Sequence, residues 1–146
     1  MTYVAAPTAL RAFKSSFRPI PLHFAAACFF GALLTDVAYW QTMEMMWSNF
    51  SAWLLLAGAV FGGIGLFAGL IDAARGLLAL RTLVGWCYVV GSLIVFAVAI
   101  FNSFVHSRDG WTSVVPLGLV LSAVTVVLMV IVAIVGTRVR RLAEGG

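Results

Sequence analysis

Four apolar runs decide what this chain can fold into. They fall at about residues 20–40, 51–71, 82–104 and 115–136, and each is long enough to cross a hydrocarbon core of roughly 30 Å. None shows the period-2 alternation of an outer-membrane strand. In lipid every backbone polar group must be satisfied internally, so runs of this length become helices. The expected fold is an all-α, integral-membrane four-helix bundle, with short connections that make successive helices antiparallel neighbours. Composition leaves little else: 63% of residues are hydrophobic and 10% charged, with a mean hydropathy of +1.09. Soluble domains are about half apolar and a quarter charged.

The basic residues give an orientation. Arg11, Lys14 and Arg18 precede the first run, Arg75 and Arg81 lie between the second and third, and Arg138, Arg140 and Arg141 follow the fourth. With four crossings these eight share one side, and only Arg108 falls on the other. Basic residues stay in the cytoplasm, so both termini are expected inside a bacterial inner membrane. A net charge of +4 distributed this way speaks of topology, and no nucleic-acid partner is expected. Trp40, Trp47, Trp53 and Trp111 would form an aromatic belt at the outer ends. The first run is too long for a signal peptide and lacks a small-residue cleavage site, so it is expected to be retained.

Outside the spans, residues 1–19 are read as a cytoplasmic leader. Thr8 is a candidate N-cap, and Leu10, Phe13 and Phe17 recur at helical spacing beside Arg11, Lys14 and Arg18. That pattern suits an amphipathic helix lying on an anionic leaflet. Residues 137–146 are read as a basic cytoplasmic tail.

Ionisable groups inside spans are expensive, and each is a candidate for function. His23 and Asp72 belong at the inner ends of the first two helices, where a hydrogen-bonded pair is expected, with Arg75 nearby. Its roles would be an interfacial clamp, a ligand orienter or a proton relay. Asp36, His106 and Arg108 share the outer depth. Asp36 with Arg108 is the expected ion pair, supported by Asn102 and Asp109, since an unpaired carboxylate there would be costly. In the connection "FVHSRDGWTSVVP", Thr112 or Ser113 is the expected cap of the fourth helix, with Pro116 in its first turn.

The second run, "SAWLLLAGAVFGGIGLFAGLID", places Gly58, Gly62, Gly65 and Gly69 on one narrow stripe, at about 100° per residue. Small residues let helices approach closely. The stripe would pack inside the bundle or form an interface with a second copy or another membrane subunit, and a groove beside it could seat a lipid or porphyrin.

A bis-histidine haem needs two imidazoles at one level. The two histidines, His23 and His106, belong at opposite ends of the bundle, so one chain cannot supply both ligands. Met43, Met45 or Met46 with His106, or a partner chain, would be required. Cys28 and Cys87 fit no zinc or disulfide spacing and are expected as reduced buried thiols. No P-loop, HExxH or GxSxG motif is present.

Three stretches, "PLHFAAACFFGALLTDVAYW", "WSNFSAWLLLAGAVFGGIGLFAGLID" and "FNSFVHSRDGWTSVVPLGLVLSAVTVVLMV", resemble the bacterial predicted-membrane-protein family called domain of unknown function 2231. The resemblance covers roughly residues 20–135 and is most specific in the third stretch. It implies a four-helix inner-membrane protein without an assigned reaction. Family members joined to Rieske-type or other redox modules imply a respiratory setting. The chain departs at "VGWCYVVGSL", where many relatives carry a histidine, and in its tail, which lacks their longer Gly- and His-containing ending.

The expected function is therefore a non-catalytic accessory or scaffold subunit of an inner-membrane redox or energy-converting complex, without a cofactor of its own. The alternative is an electron-transfer subunit sharing haem b or quinone with a partner chain, with His23 and Asp72 as the candidate cofactor-binding residues. A proton path through Asp36 and Asp72 is the third reading, disfavoured because the polar groups sit only at the two ends.

Overall fold

The computed structural model describes residues 19–76, 82–108 and 114–144. They form four long helices: α1 (Pro19–Thr42), α2 (Met45–Ala74), α3 (Leu83–His106) and α4 (Leu119–Glu144), the last preceded by a kinked turn over Val114–Gly118. All four are long and apolar enough to span a membrane. The leader with its Thr8 cap, Arg81, Asp109, Trp111, Thr112 and Ser113 lie outside the described residues.

α4 shows why lipid decides the secondary structure. Its sequence, "LVLSAVTVVLMVIVAIVG", is dominated by β-branched residues that favour strands in water. In hydrocarbon an open strand would leave a row of unpaired N–H and C=O groups, and only the helix satisfies them locally. The helices also outrun the apolar spans: α2 continues to Ala74 and α4 to Glu144. Hydropathy ends where the headgroups begin, but the hydrogen-bond ladder does not.

The connections are tight. Met43, with φ 55°, and Glu44 turn α1 into α2, closed by the Met43 N–H on Tyr39 O at 2.7 Å. Gly76, with φ +69°, follows α2, in the left-handed region that glycine tolerates. Thr82 caps α3, its hydroxyl accepting the Gly85 N–H at 3.1 Å. Ahead of α4 the Val115–Pro116 bond is cis and Val115 is extended; regular helix begins at Leu119.

Each helix packs on its sequence neighbour, and α4 closes the ring against α1. Ala25, Phe29, Ala32, Leu55 and Ala99 form the apolar core. Ala32 and Ala99 are fully buried, and their small side chains bring the helices close. The large side chains point outward: Phe24, Trp53, Phe67, Trp86 and Phe104 are each at least half exposed. On a soluble protein this would be an aggregating surface; on a membrane protein it is the surface that meets lipid.

Candidate functional site

The bundle has two unlike halves. One is built from the end of α1, the start of α2, the end of α3 and the start of α4, and polar side chains fill it. Asp36, Ser51, Asn102, His106, Ser122 and Thr125 are all buried there.

Asp36 is fully buried, and both carboxylate oxygens are engaged. His106 Nε2 is 2.9 Å from Oδ1, and the Ser122 hydroxyl donates to Oδ2 at 2.5 Å. Ser122 Oγ in turn accepts from Asn102 Nδ2 at 2.8 Å. His106 Nδ1 faces the Asn102 carbonyl oxygen at 3.1 Å. Three side-chain bonds and the Asn102 backbone carbonyl together close a ring across α1, α3 and α4.

The partners fix the protons. A carbonyl oxygen only accepts, so His106 Nδ1 carries a hydrogen. That leaves Nε2 facing a carboxylate oxygen, and one proton must lie between them. Whether it rests on nitrogen or on oxygen, the pair has no net charge. A neutral, hydrogen-bonded pair is what a low-dielectric interior tolerates. Asn102 Oδ1 is the ring's loose end, a buried acceptor with no hydrogen-bond partner among the described residues.

α2 joins through a second contact. Thr35 Oγ1 and Ser51 Oγ are 2.6 Å apart, and Ser51 also reaches Ala32 O at 3.4 Å. All four helices are thus held in this half by side-chain hydrogen bonds.

This arrangement corrects the expected Asp36–Arg108 ion pair. Asp36 takes His106 and Ser122 instead, and Arg108 is exposed past the end of α3, its N–H on Val105 O. The reason is helical phase. His106 is four residues after Asn102 and shares its inward face, whereas Arg108 lies two residues further on, beyond the last helical residue. Asn102 supports the site through Ser122. Ser122 itself was missed, although a serine in an aliphatic run is a readable signal.

The other half holds the opposite elements: the start of α1, the end of α2, the start of α3 and the end of α4. His23 is exposed there, and its Nδ1 donates to Pro19 O at 2.5 Å within its own helix. Asp72 is buried near the end of α2. Gly58, Gly62 and Gly65 are buried, and Gly69 is half-buried. A Cβ on Gly58 would collide with the Phe29 ring, one on Gly65 would meet Leu22 Cδ2 at 2.6 Å, and one on Gly62 would meet Phe96 at 3.2 Å. At these three positions the stripe closes α2 onto α1 and α3.

Beyond the glycines lies a cavity of about 360 Å³ among all four helices. Ala26, Phe29, Gly62, Val95, Met129 and Ala133 line it, with Pro19 and His23 at the end of the bundle. Tyr88 and Ser92 are its other polar side chains, and Ser92 Oγ donates to Tyr88 O of its own helix at 2.8 Å.

The remaining candidates are scattered. Met43 and Met46 are exposed, while His106 has both ring nitrogens engaged. Cys28 is buried in α1 and Cys87 exposed on α3, and both are free thiols. Trp40 and Trp53 are exposed on the polar half's side, and Trp86 is exposed at the other end, so indoles reach towards both interfaces.

No curated protein and no solved structure matches the chain. A family described as "Predicted membrane protein (DUF2231)" matches over residues 15–141. That span takes in α1 to α3, all but the end of α4, and both halves of the bundle. On that match, the chain belongs to the DUF2231 family of predicted membrane proteins.

Proposed function

We propose that this protein is a non-catalytic accessory subunit of a bacterial inner-membrane redox or energy-converting complex, with both termini cytoplasmic. The observation that carries this reading is the self-contained ring of Asp36, His106, Asn102 and Ser122. Its acid and its base are engaged with each other in a fully buried site. A general acid or base needs hydrogen-bond reach to a substrate, and these groups are turned to one another instead. Such a ring sets the position of helices, which is the task of a scaffold.

Gly58, Gly62 and Gly65 pack against this chain's own helices, which supports assigning partner contact to the outward faces. A shallow apolar groove between α1 and α2, lined by Ile20, Phe24, Phe61, Ile64 and Ala68, is one such face. The paired Phe24 and Phe61 rings, 4.4 Å apart, form its wall. Helix–helix contact in lipid depends on such shape-matched packing. Native mass spectrometry after crosslinking in the host membrane tests the proposal. A reproducible membrane-protein partner is expected; a strictly monomeric chain contradicts it.

The second reading, an electron-transfer subunit sharing haem b or quinone with a partner, draws on the exposed His23 and on Asp72 in the same half of the bundle. An optical spectrum of the complex decides it. A Soret band lost in His23→Ala would favour it over the scaffold.

A further inference from the structure

We propose that the four-helix cavity is a lipid site that takes one acyl chain of an anionic glycerophospholipid. Three observations carry this. First, the cavity has the depth of one leaflet. From Pro19 at its rim to Phe29 at its floor, α1 advances ten residues, or about 15 Å. That is half of a roughly 30 Å hydrocarbon core. An acyl chain of one leaflet has that length because it makes up that half.

Second, most of the lining offers an aliphatic chain carbon to touch, Tyr88 being its one other polar side chain besides Ser92 and the rim's His23, and the Ser92 hydroxyl is turned to its own helix. Ala26, Phe29, Gly62, Val95, Met129 and Ala133 present carbon. A quinone head would bring two carbonyls into this space, and buried carbonyls require donors. An acyl chain brings none.

Third, the rim is polar and the end of the bundle is basic. His23 Nδ1 donates to Pro19 O, which leaves Nε2 at the exposed rim as the nitrogen a headgroup meets. Arg75, Arg138 and Arg141 are exposed on the helix ends of the same half. Basic residues between helices at one membrane surface attract acidic headgroups, and a zwitterionic lipid gains less there. The small residues Ala26, Gly62, Ala133 and Gly136 leave the space. A Cβ on Gly136 would meet the Tyr88 ring at 2.8 Å, so this wall is shaped closely at the rim and left open below it.

The test begins with protein delipidated in detergent and titrated with phosphatidylglycerol, phosphatidylcholine, ubiquinone or glycerol 3-phosphate. Phosphatidylglycerol should raise the melting temperature by several degrees, and the other three should do so far less. Ala133→Phe fills the cavity and should weaken phosphatidylglycerol binding about tenfold with the helical spectrum unchanged. Should that variant not fold, phosphatidylglycerol with a diazirine on its acyl chain is used on the wild-type chain. It should label Leu66, Val95 or Met129 in preference to the outward Phe67 and Phe101. Equal shifts with phosphatidylcholine, a shift with ubiquinone alone, a shift with glycerol 3-phosphate alone, undiminished binding in Ala133→Phe, or labelling confined to outward residues would each overturn the proposal. None of these outcomes depends on a protein partner, so this site and the accessory role succeed or fail separately.

Discussion

The two halves of the bundle solve the same problem by opposite means. Where Asp36, His106, Asn102 and Ser122 meet, helices are held by directional bonds between polar side chains. Where Gly58, Gly62 and Gly65 face Phe29, Phe96 and Leu22, they are held by close contact and shape. Lipid supplies no hydrophobic force to press helices together, so both devices are needed. They differ in what they tolerate. A hydrogen-bonded ring fixes partners and register and leaves no slack. Packing on glycines fixes distance, yet the small residues that permit it also leave the 360 Å³ cavity beside them.

That difference can be broken at the polar half first. Asp36→Ala leaves His106 Nε2 and the Ser122 hydroxyl without their partner in a buried site. Breaking a buried pair costs about 3–5 kcal/mol in soluble proteins, while interhelical hydrogen bonds in bilayers average about 0.6 kcal/mol. With two bonds lost at a fully buried carboxylate, a loss of about 2–4 kcal/mol is expected, measured by denaturant unfolding in mixed micelles. Asp36→Asn sharpens the point. Its amide N–H donates to Nε2 and its oxygen accepts from Ser122, so the ring survives uncharged and the loss should stay below about 1 kcal/mol. A large loss in Asn would mean that the shared proton is an ion pair the amide cannot replace.

At the packed half, Gly58→Ala forces a methyl into the Phe29 ring. Overpacking of this kind costs about 1–3 kcal/mol. Gly63→Ala is the control: its Cβ would sit 3.6 Å from Phe96, an ordinary contact, and it should be neutral in the same assay. A smaller effect comes from Thr35→Val, which removes the Thr35–Ser51 bond between α1 and α2 for about 0.6 kcal/mol. Arg108→Ala should matter least, within about 0.5 kcal/mol, as for other exposed positions.

The sequence made the four helices readable because lipid turns a local property, twenty apolar residues in a row, into a structural rule. It also made depth readable: Asp36 and His106 belong at one level, and His23 at the other. What it hid was angle around the helix axis. Asp36 had Arg108 and His106 within reach by depth, and the stronger charge suggested Arg108. Only the inward phase shared by Asn102 and His106 selects the histidine. Helix ends are hidden for a related reason, since hydropathy marks only the apolar span and α4 runs on to Glu144 past it. The glycine stripe points to a groove beside it, but not to the cavity's volume, which is set by side chains from four helices at once.

The central claim is that Asp36 is locked by His106 through one shared proton and not by Arg108. A double-mutant cycle tests it most directly. The pair Asp36→Ala and His106→Ala should show a coupling of about 1.5 kcal/mol or more, and the pair Asp36→Ala and Arg108→Ala a coupling near zero. Additive losses for Asp36 and His106, together with strong coupling between Asp36 and Arg108, would contradict the account.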